Sequence, residues 1–332
     1  MGRSSDYERI DPDSFDRPKR RTRPRTKDRP AYADAVPGLV ITVDRGRFTC
    51  DVAGRAVMAI KSRPLGRKGV VVGDRVQLVG DVSGSDDTLA RIVTIDERET
   101  TLRRTADDDQ VERIIVANAD QLVVVVALAD PEPRVGLIDR ALVAAYDEGM
   151  DPLLVLTKAD LAAPDELLAT YGPLDVPYVV TSTKSPAGAD IARVREQLEG
   201  RTSVLLGHSG VGKSTLVNAL VPGAGRATGH VNEVTGRGRH TSTSALMLAL
   251  PGPRGGWIVD TPGIRSFGLA HVDPAHLIHA FPDLDALTDE CPRGCTHAEG
   301  EPECGLDDAV GEVEQGRVAS FRRLLASREV AL

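Results

Sequence analysis

The sequence predicts a multidomain chain. It comprises an N-terminal all-β barrel of OB type, a central α/β phosphate-loop unit with permuted motif order, and a C-terminal helical zinc unit. Three observations carry this reading. Five short β-type runs crowd residues 39–96, separated by Gly, Asp and Ser. Apolar strands then alternate with helical patterns from about residue 114, as a parallel sheet covered on both faces requires. Finally, three of the four cysteines gather between residues 291 and 304.

A length of 332 residues suits two or three domains. With 41% hydrophobic and 27% charged residues, the composition is that of a soluble globular protein. The longest apolar stretch, Leu122 to Ala129, has the length of a strand and is too short to span a bilayer. The charged N-terminus has no apolar segment after Met1, which argues against secretion. Few cysteines, clustered rather than spread, point to a reducing, cytoplasmic setting, and the short apolar runs leave no expectation of a membrane partner.

Residues 1–35 read as a disordered basic arm, since Pro18, Pro24 and Pro30 break helices and little there can be buried. Residues 17–29 hold eight Lys/Arg against one Asp, and the rest of the chain has a net charge of -15. A basic arm on an acidic body suggests contact with nucleic acid. Residues 36–104 form the expected OB-type, RNA-binding domain, from runs at Leu39–Asp44, Phe48–Val52, Ala56–Lys61, Arg75–Val79 and Leu89–Asp96. SH3-like barrels give the same pattern. Cys50, inside one run, reads as core.

Residues 105–268 form the expected α/β domain. Strands are expected at Leu122–Ala129, Leu153–Thr157, Tyr178–Thr181 and Ser203–Leu206, with helices at Val135–Glu148, Pro164–Tyr171, Ala189–Leu198 and from Lys213 to Leu220. Gly207-His208-Ser209-Gly210-Val211-Gly212-Lys213-Ser214 matches G-x-x-x-x-G-K-[ST] in full, after a strand and before a helix, and Thr215 follows. The glycines let backbone N–H groups converge on phosphates. Lys213 brings positive charge to the β/γ oxygens, the Ser214 hydroxyl ligates Mg²⁺, and the helix N-terminus adds its partial charge.

Thr157-Lys158-Ala159-Asp160 ends a strand and resembles the guanine-reading Asn-Lys-x-Asp motif of GTPases. The Asp160 carboxylate would accept from guanine N1–H and the exocyclic amine, a donor pair adenine lacks. Lys158 would lie along the base, and Thr157 stands where Asn is usual. Thr181-Ser182-Thr183 resembles the second guanine-contacting loop. Asp260-Thr261-Pro262-Gly263 resembles the Asp-x-x-Gly switch motif, with Asp260 on Mg²⁺ and the Gly263 N–H sensing the γ-phosphate. Glycine-rich residues 236–241 read as the first switch, with Thr241 as the Mg²⁺ ligand and Thr243 as alternative.

The order of these motifs is circularly permuted, because Asp160 precedes Lys213 and nothing beyond Gly263 reads a base. Close-lying termini tolerate such a rearrangement. The switch then leads directly into residues 269–332, so nucleotide-dependent movement would pull on that unit. Ile264 occupies the place where many GTPases put a water-orienting Gln. The catalytic set is therefore expected to be His240, Thr241 and Lys213, with His240 positioning or deprotonating water.

Residues 269–332 form the expected zinc-binding helical unit, with helical runs at His276–Phe281 and Val310–Ala326. Cys291-x₃-Cys295-x-His297-x₆-Cys304 offers three thiolates and an imidazole, which suits one structural, tetrahedral Zn²⁺.

Taken together, these motifs resemble the RsgA (YjeQ/EngC) family of circularly permuted GTPases. The likeness covers about residues 38–326 and includes Ala117-Asn118-Ala119-Asp120-Gln121, Ile138-Asp139-Arg140, Gly238-Arg239-His240-Thr241 and the helix from Gly311 to Phe321. It implies a GTP hydrolase (acid anhydride hydrolase) that binds the 30S subunit and its 16S rRNA as a late assembly checkpoint. It also implies hydrolysis stimulated by that particle, GTP/GDP with Mg²⁺ as cofactor, a monomer, and a catalytic histidine at His240. The sequence departs from the family at Thr157 and in a ligand spacing one residue shorter, then one longer. Two other readings compete: a P-loop nucleotide-dependent RNA-binding module without significant turnover, and an ATP-dependent kinase, against which Asp160 argues.

Overall fold

The structure is a computed structural model, and it describes residues 32–66, 69–85, 88–106, 109–182, 188–225, 245–261, 269, 272 and 274–327. The basic arm, apart from its last residues, and Thr183, His240, Thr241, Thr243 and Gly263 lie outside the described residues.

Strands β1 (Val36–Asp44), β2 (Arg47–Val52), β3 (Arg55–Lys61), β4 (Arg75–Val79) and β5 (Ala90–Ile95) form a barrel in the order β1-β2-β3-β5-β4. It closes where β4 returns to β1, from Val36↔Leu78 to Leu39↔Arg75. All pairs are antiparallel except β3 with β5. Period-two alternation buries Phe48, Cys50, Val52, Val57, Ala59, Val76, Leu78 and Ile92 inside. Burial there pushes the Cys50 thiol up to about 12, which suits an inert core residue. The two tight hairpins turn on Arg45-Gly46 and Ala53-Gly54, all four with positive φ, as two-residue turns matched to strand twist demand.

A hairpin the sequence reading did not anticipate follows: β6 (Thr101–Ala106) with β7 (Asp109–Ala117). Its strands are rich in charge and lack clear alternation, so no buried face marks them. Glu148 anchors the hairpin, accepting from Thr101 N at 2.9 Å, Thr101 Oγ1 at 2.8 Å and Arg103 Nε at 3.3 Å.

The barrel joins the next layer at Asn118, whose Nδ2 donates to Gly73 O (2.9 Å) while its Oδ1 accepts from Glu99 N (2.9 Å). A Cβ on Gly73 would lie 2.0 Å from Ala117 O, so only glycine permits the approach.

The central sheet runs β10 (Tyr178–Val180), β9 (Asp151–Thr157), β8 (Gln121–Ala127), β11 (Thr202–Leu206), β13 (Trp257–Asp260), β12 (Leu246–Ala249). All its pairs are parallel except β12 with β13. The short β12, also unanticipated, pairs with β1 at Thr42↔Leu246 and makes barrel and sheet one hydrogen-bonded surface. Every residue of β8 is buried. Leu122, Val124 and Val126 face α1 (Val135–Asp147), and Val123 and Val125 face α3 (Ala189–Leu198) and α4 (Lys213–Leu220). Helix α2 (Asp165–Tyr171) follows β9.

Beyond the sheet come α5 (Pro274–Ile278), α6 (Pro282–Asp285) and α7 (Glu312–Ser327). These C-terminal elements share one continuous core with α1 rather than building their own. Tyr146, Phe281 and Phe321 stack edge-on with centroids 4.9 and 5.5 Å apart. Beside them Asp139 of α1 accepts from Arg323 Nε of α7 at 3.2 Å and from Tyr171 Oη at 3.0 Å. Among the described residues, no helix is long and apolar enough to cross a membrane.

Candidate nucleotide site and metal centre

Strand β11 delivers the chain into the glycine-rich turn. A Cβ at Gly207 would stand 2.7 Å from Val125 O, so the turn packs directly on β8. Gly210 and Gly212 have φ of 85° and 93°, conformations that side chains resist, and Gly212 opens α4. Lys213, Ser214 and Thr215 form the first turn of that helix, where free N–H groups and the dipole favour anions. The His208 ring Nδ1 lies 3.1 Å from Ser209 O, so this loop turns one side chain back onto its own backbone.

Lys213 reaches across to the end of β13. Its amine donates to Thr261 O at 2.8 Å and lies 3.6 Å from Asp260 Oδ1. Asp260 is 6% exposed, and the Thr261 hydroxyl ties the same segment to Leu205 O at 2.8 Å. The lysine of the turn and the Asp260 carboxylate therefore lie side by side.

The Thr157-Lys158-Ala159-Asp160 segment ends the neighbouring β9. The buried Thr157 hydroxyl donates to Val211 O at 2.6 Å and lies 3.3 Å from Val126 O. This bond ties the Thr157–Asp160 segment to the glycine-rich turn 54 residues later in the chain. Lys158, at φ 60°, donates to Asp130 O. Ala159 N donates to Thr181 O at 3.1 Å, and Ser182 Oγ to Asp160 Oδ1 at 2.9 Å. Asp160 and Ser182 thus share one corner. The structure brings Thr157, Lys158, Ala159, Asp160, Ser182, the turn 207–215 and Asp260 to one end of the parallel sheet, the usual ligand end of such sheets. Asp190, which accepts from Ser182 N at 3.1 Å, escaped the sequence reading. A lone acid in a helix's first turn carries no motif.

The four ligand atoms of Cys291, Cys295, His297 and Cys304 lie within 4.8 Å of one another. His297 Nδ1 stands 3.8, 3.5 and 3.8 Å from the three sulfurs in that order. A tetrahedron with ordinary Zn–S and Zn–N bonds has S···N edges of about 3.6 Å. The cluster could therefore hold one zinc ion, and the donor set fits it. Burial lowers the pKa of His297 and favours the neutral imidazole that ligates metal. Gly305 N donates to Cys291 Sγ at 3.2 Å, and a Cβ there would lie 2.0 Å from Leu287 O.

Chelating the metal is expected to increase amide exchange at least tenfold across residues 286–309, while β8 and β9 keep their protection. Gly305→Ala should reproduce the effect by forcing the ligand loop away. Unchanged exchange after chelation would refute a structural metal.

The family model described as RsgA GTPase matches residues 95–270. A protein from Gemmatimonas aurantiaca, named small ribosomal subunit biogenesis GTPase RsgA, is 37% identical over 290 residues, covering 86% of this chain and 92% of its own. The crystal structure of YjeQ from Thermotoga maritima superposes with a TM-score of 0.63 at 29% identity, over 88% of this chain and 98% of that one. The crystal structure of YloQ, a circularly permuted GTPase, gives a TM-score of 0.63 at 22% identity, over 92% and 100%, and supports the fold alone.

Proposed function

This chain belongs to the RsgA GTPase family and is a GTP hydrolase, and from that premise we propose that it acts on the small ribosomal subunit as a late assembly checkpoint. In this reading it binds the 30S particle, contacts 16S rRNA through the barrel and the basic arm, and hydrolyses GTP faster when bound. The likeness to relatives named small ribosomal subunit biogenesis GTPase supports the subunit as target, and the observation that carries the nucleotide part of the reading is the Thr157–Val211 hydrogen bond. It ties a guanine-type motif to a phosphate turn that follows it in the chain, so one nucleotide can span both.

Asp160, Ser182 and Lys158 read the base. The turn 207–213 and the first turn of α4 hold the phosphates, and Lys213 neutralises charge developing on the β/γ oxygens. Ser214, Asp260 and Thr241 would hold Mg²⁺, which when bound neutralises the same oxygens. The Gly263 N–H and Thr183 complete the nucleotide contacts. With Ile264 where a glutamine is usual, His240 is the residue we assign to ordering water. Zinc on Cys291, Cys295, His297 and Cys304 shapes the C-terminal unit that the switch segment feeds.

Turnover of GTP should be measured alone, with 30S particles and with 50S particles. We expect at least tenfold acceleration by 30S only. Equal rates in all three would refute the checkpoint reading. With 30S present, His240→Ala should lose the acceleration. Removing residues 1–35 should weaken 30S affinity and flatten its salt dependence.

A further inference from the structure

We propose that Asp190 is a positioning residue for guanine selection, acting on Asp160 through Ser182. The inference rests on the reading of Asp160 as the guanine acceptor.

Asp190 lies in the first turn of α3, is 9% exposed and is not part of any nucleotide motif. Its Oδ2 accepts the Ser182 N–H at 3.1 Å. Its Oδ1 accepts from Arg193 one helical turn on. The N-terminus of α3 favours a carboxylate at that place. The Ser182 backbone is thereby held where its hydroxyl donates to Asp160 Oδ1 at 2.9 Å.

The chemistry follows from what Asp160 has to do. A carboxylate on a single bond can rotate, and reading guanine requires both oxygens in the plane of the base edge. The bond from Ser182 restrains the rotation of that carboxylate, and a carboxylate, with about four lone-pair positions, can accept several hydrogen bonds at once, those from N1–H and the exocyclic amine among them. Ser182 can do this only if its own backbone is fixed. Residues 181 and 182 are held on one side by Thr181 N to Leu156 O (2.7 Å) and on the other by Asp190. Asp190 touches no part of the base and works through orientation alone.

Guanine differs from hypoxanthine by the exocyclic amine, so the ratio of ITP to GTP dissociation constants reports the second hydrogen bond to Asp160. Full-length Asp190→Ala should lower that ratio about tenfold, with GTP affinity falling further than ITP affinity because GTP loses alignment of two hydrogen bonds and ITP of one. Asp190→Asn, whose amide oxygen can still accept from Ser182 N–H, should keep most of the wild-type ratio. Both constants rising by the same factor in Asp190→Ala, which leaves the ratio unchanged, would overturn the proposal. If Asp190→Ala does not fold, Asp190→Leu provides the same test, because it removes the acceptor for Ser182 N–H while keeping the bulk of the side chain. A wild-type protein that binds GTP, ITP and ATP alike would instead bring down the guanine reading itself, so the two failures are distinguishable.

Discussion

Lys213→Ala is expected to lower GTP turnover by about two to three orders of magnitude, the cost of removing one preorganised group from developing charge. The physical reason is the position of the amine. It spans from the first turn of α4 to the end of β13, 2.8 Å from Thr261 O and 3.6 Å from Asp260 Oδ1. The side chain joins the glycine-rich turn to the segment that begins at Asp260. Its loss removes a charge from the phosphates and also leaves the segment leading toward the switch without that tie. The fold should survive, since the lysine's side chain is not part of the apolar core and one hydrogen bond from a charged donor is worth about 1.5–3 kcal/mol. Steady-state turnover, with circular dichroism and zinc content as controls, checks this. Turnover within threefold of wild type would mean that this turn does not hold the reacting phosphates.

Asp160→Asn is expected to weaken GTP at least about a thousandfold while admitting XTP. A carboxylate accepts from both guanine donors. A carboxamide accepts with one oxygen and presents an N–H₂ to the other donor, where two donors repel. Xanthine carries an oxygen at that place and so accepts what the amide offers. Competition binding with the two nucleotides reads the exchange of preference. Because Ser182 Oγ holds Oδ1 at 2.9 Å in the native protein, the new side chain should settle with its oxygen toward Ser182. GTP affinity equal to wild type would remove Asp160 from the base site.

The elements that were legible in the sequence are those whose burial follows a period. The strands of the barrel and of the parallel sheet announce themselves through alternation or through continuous apolar runs, as in β8. The hairpin β6–β7 and the strand β12 did not. The first is charged along much of its length, and the second is four residues bounded by segments with no pattern of their own. Both exist because of partners elsewhere: Glu148 at the end of α1 holds the hairpin, and β1 pairs with β12. In the C-terminal elements, Phe281 and Phe321 continue the apolar cluster that covers one face of the sheet, a contact that no local pattern in the sequence specifies.

For the candidate site, the sequence by itself determined which residue types stand at which spacing. Glycines at the turn, the lysine, two aspartates, and a three-cysteine, one-histidine set are local signals, because each needs a residue type at a short, fixed spacing. What it could not determine is which of those signals meet. That Thr157 bonds the Val211 carbonyl, that Lys213 reaches Thr261, and that Asp190 holds Ser182 are decided by tertiary structure alone. Such contacts depend on the order in which strands lie in the sheet, and strand order is set by the packing of helices on both faces, not by any residue's neighbours along the chain.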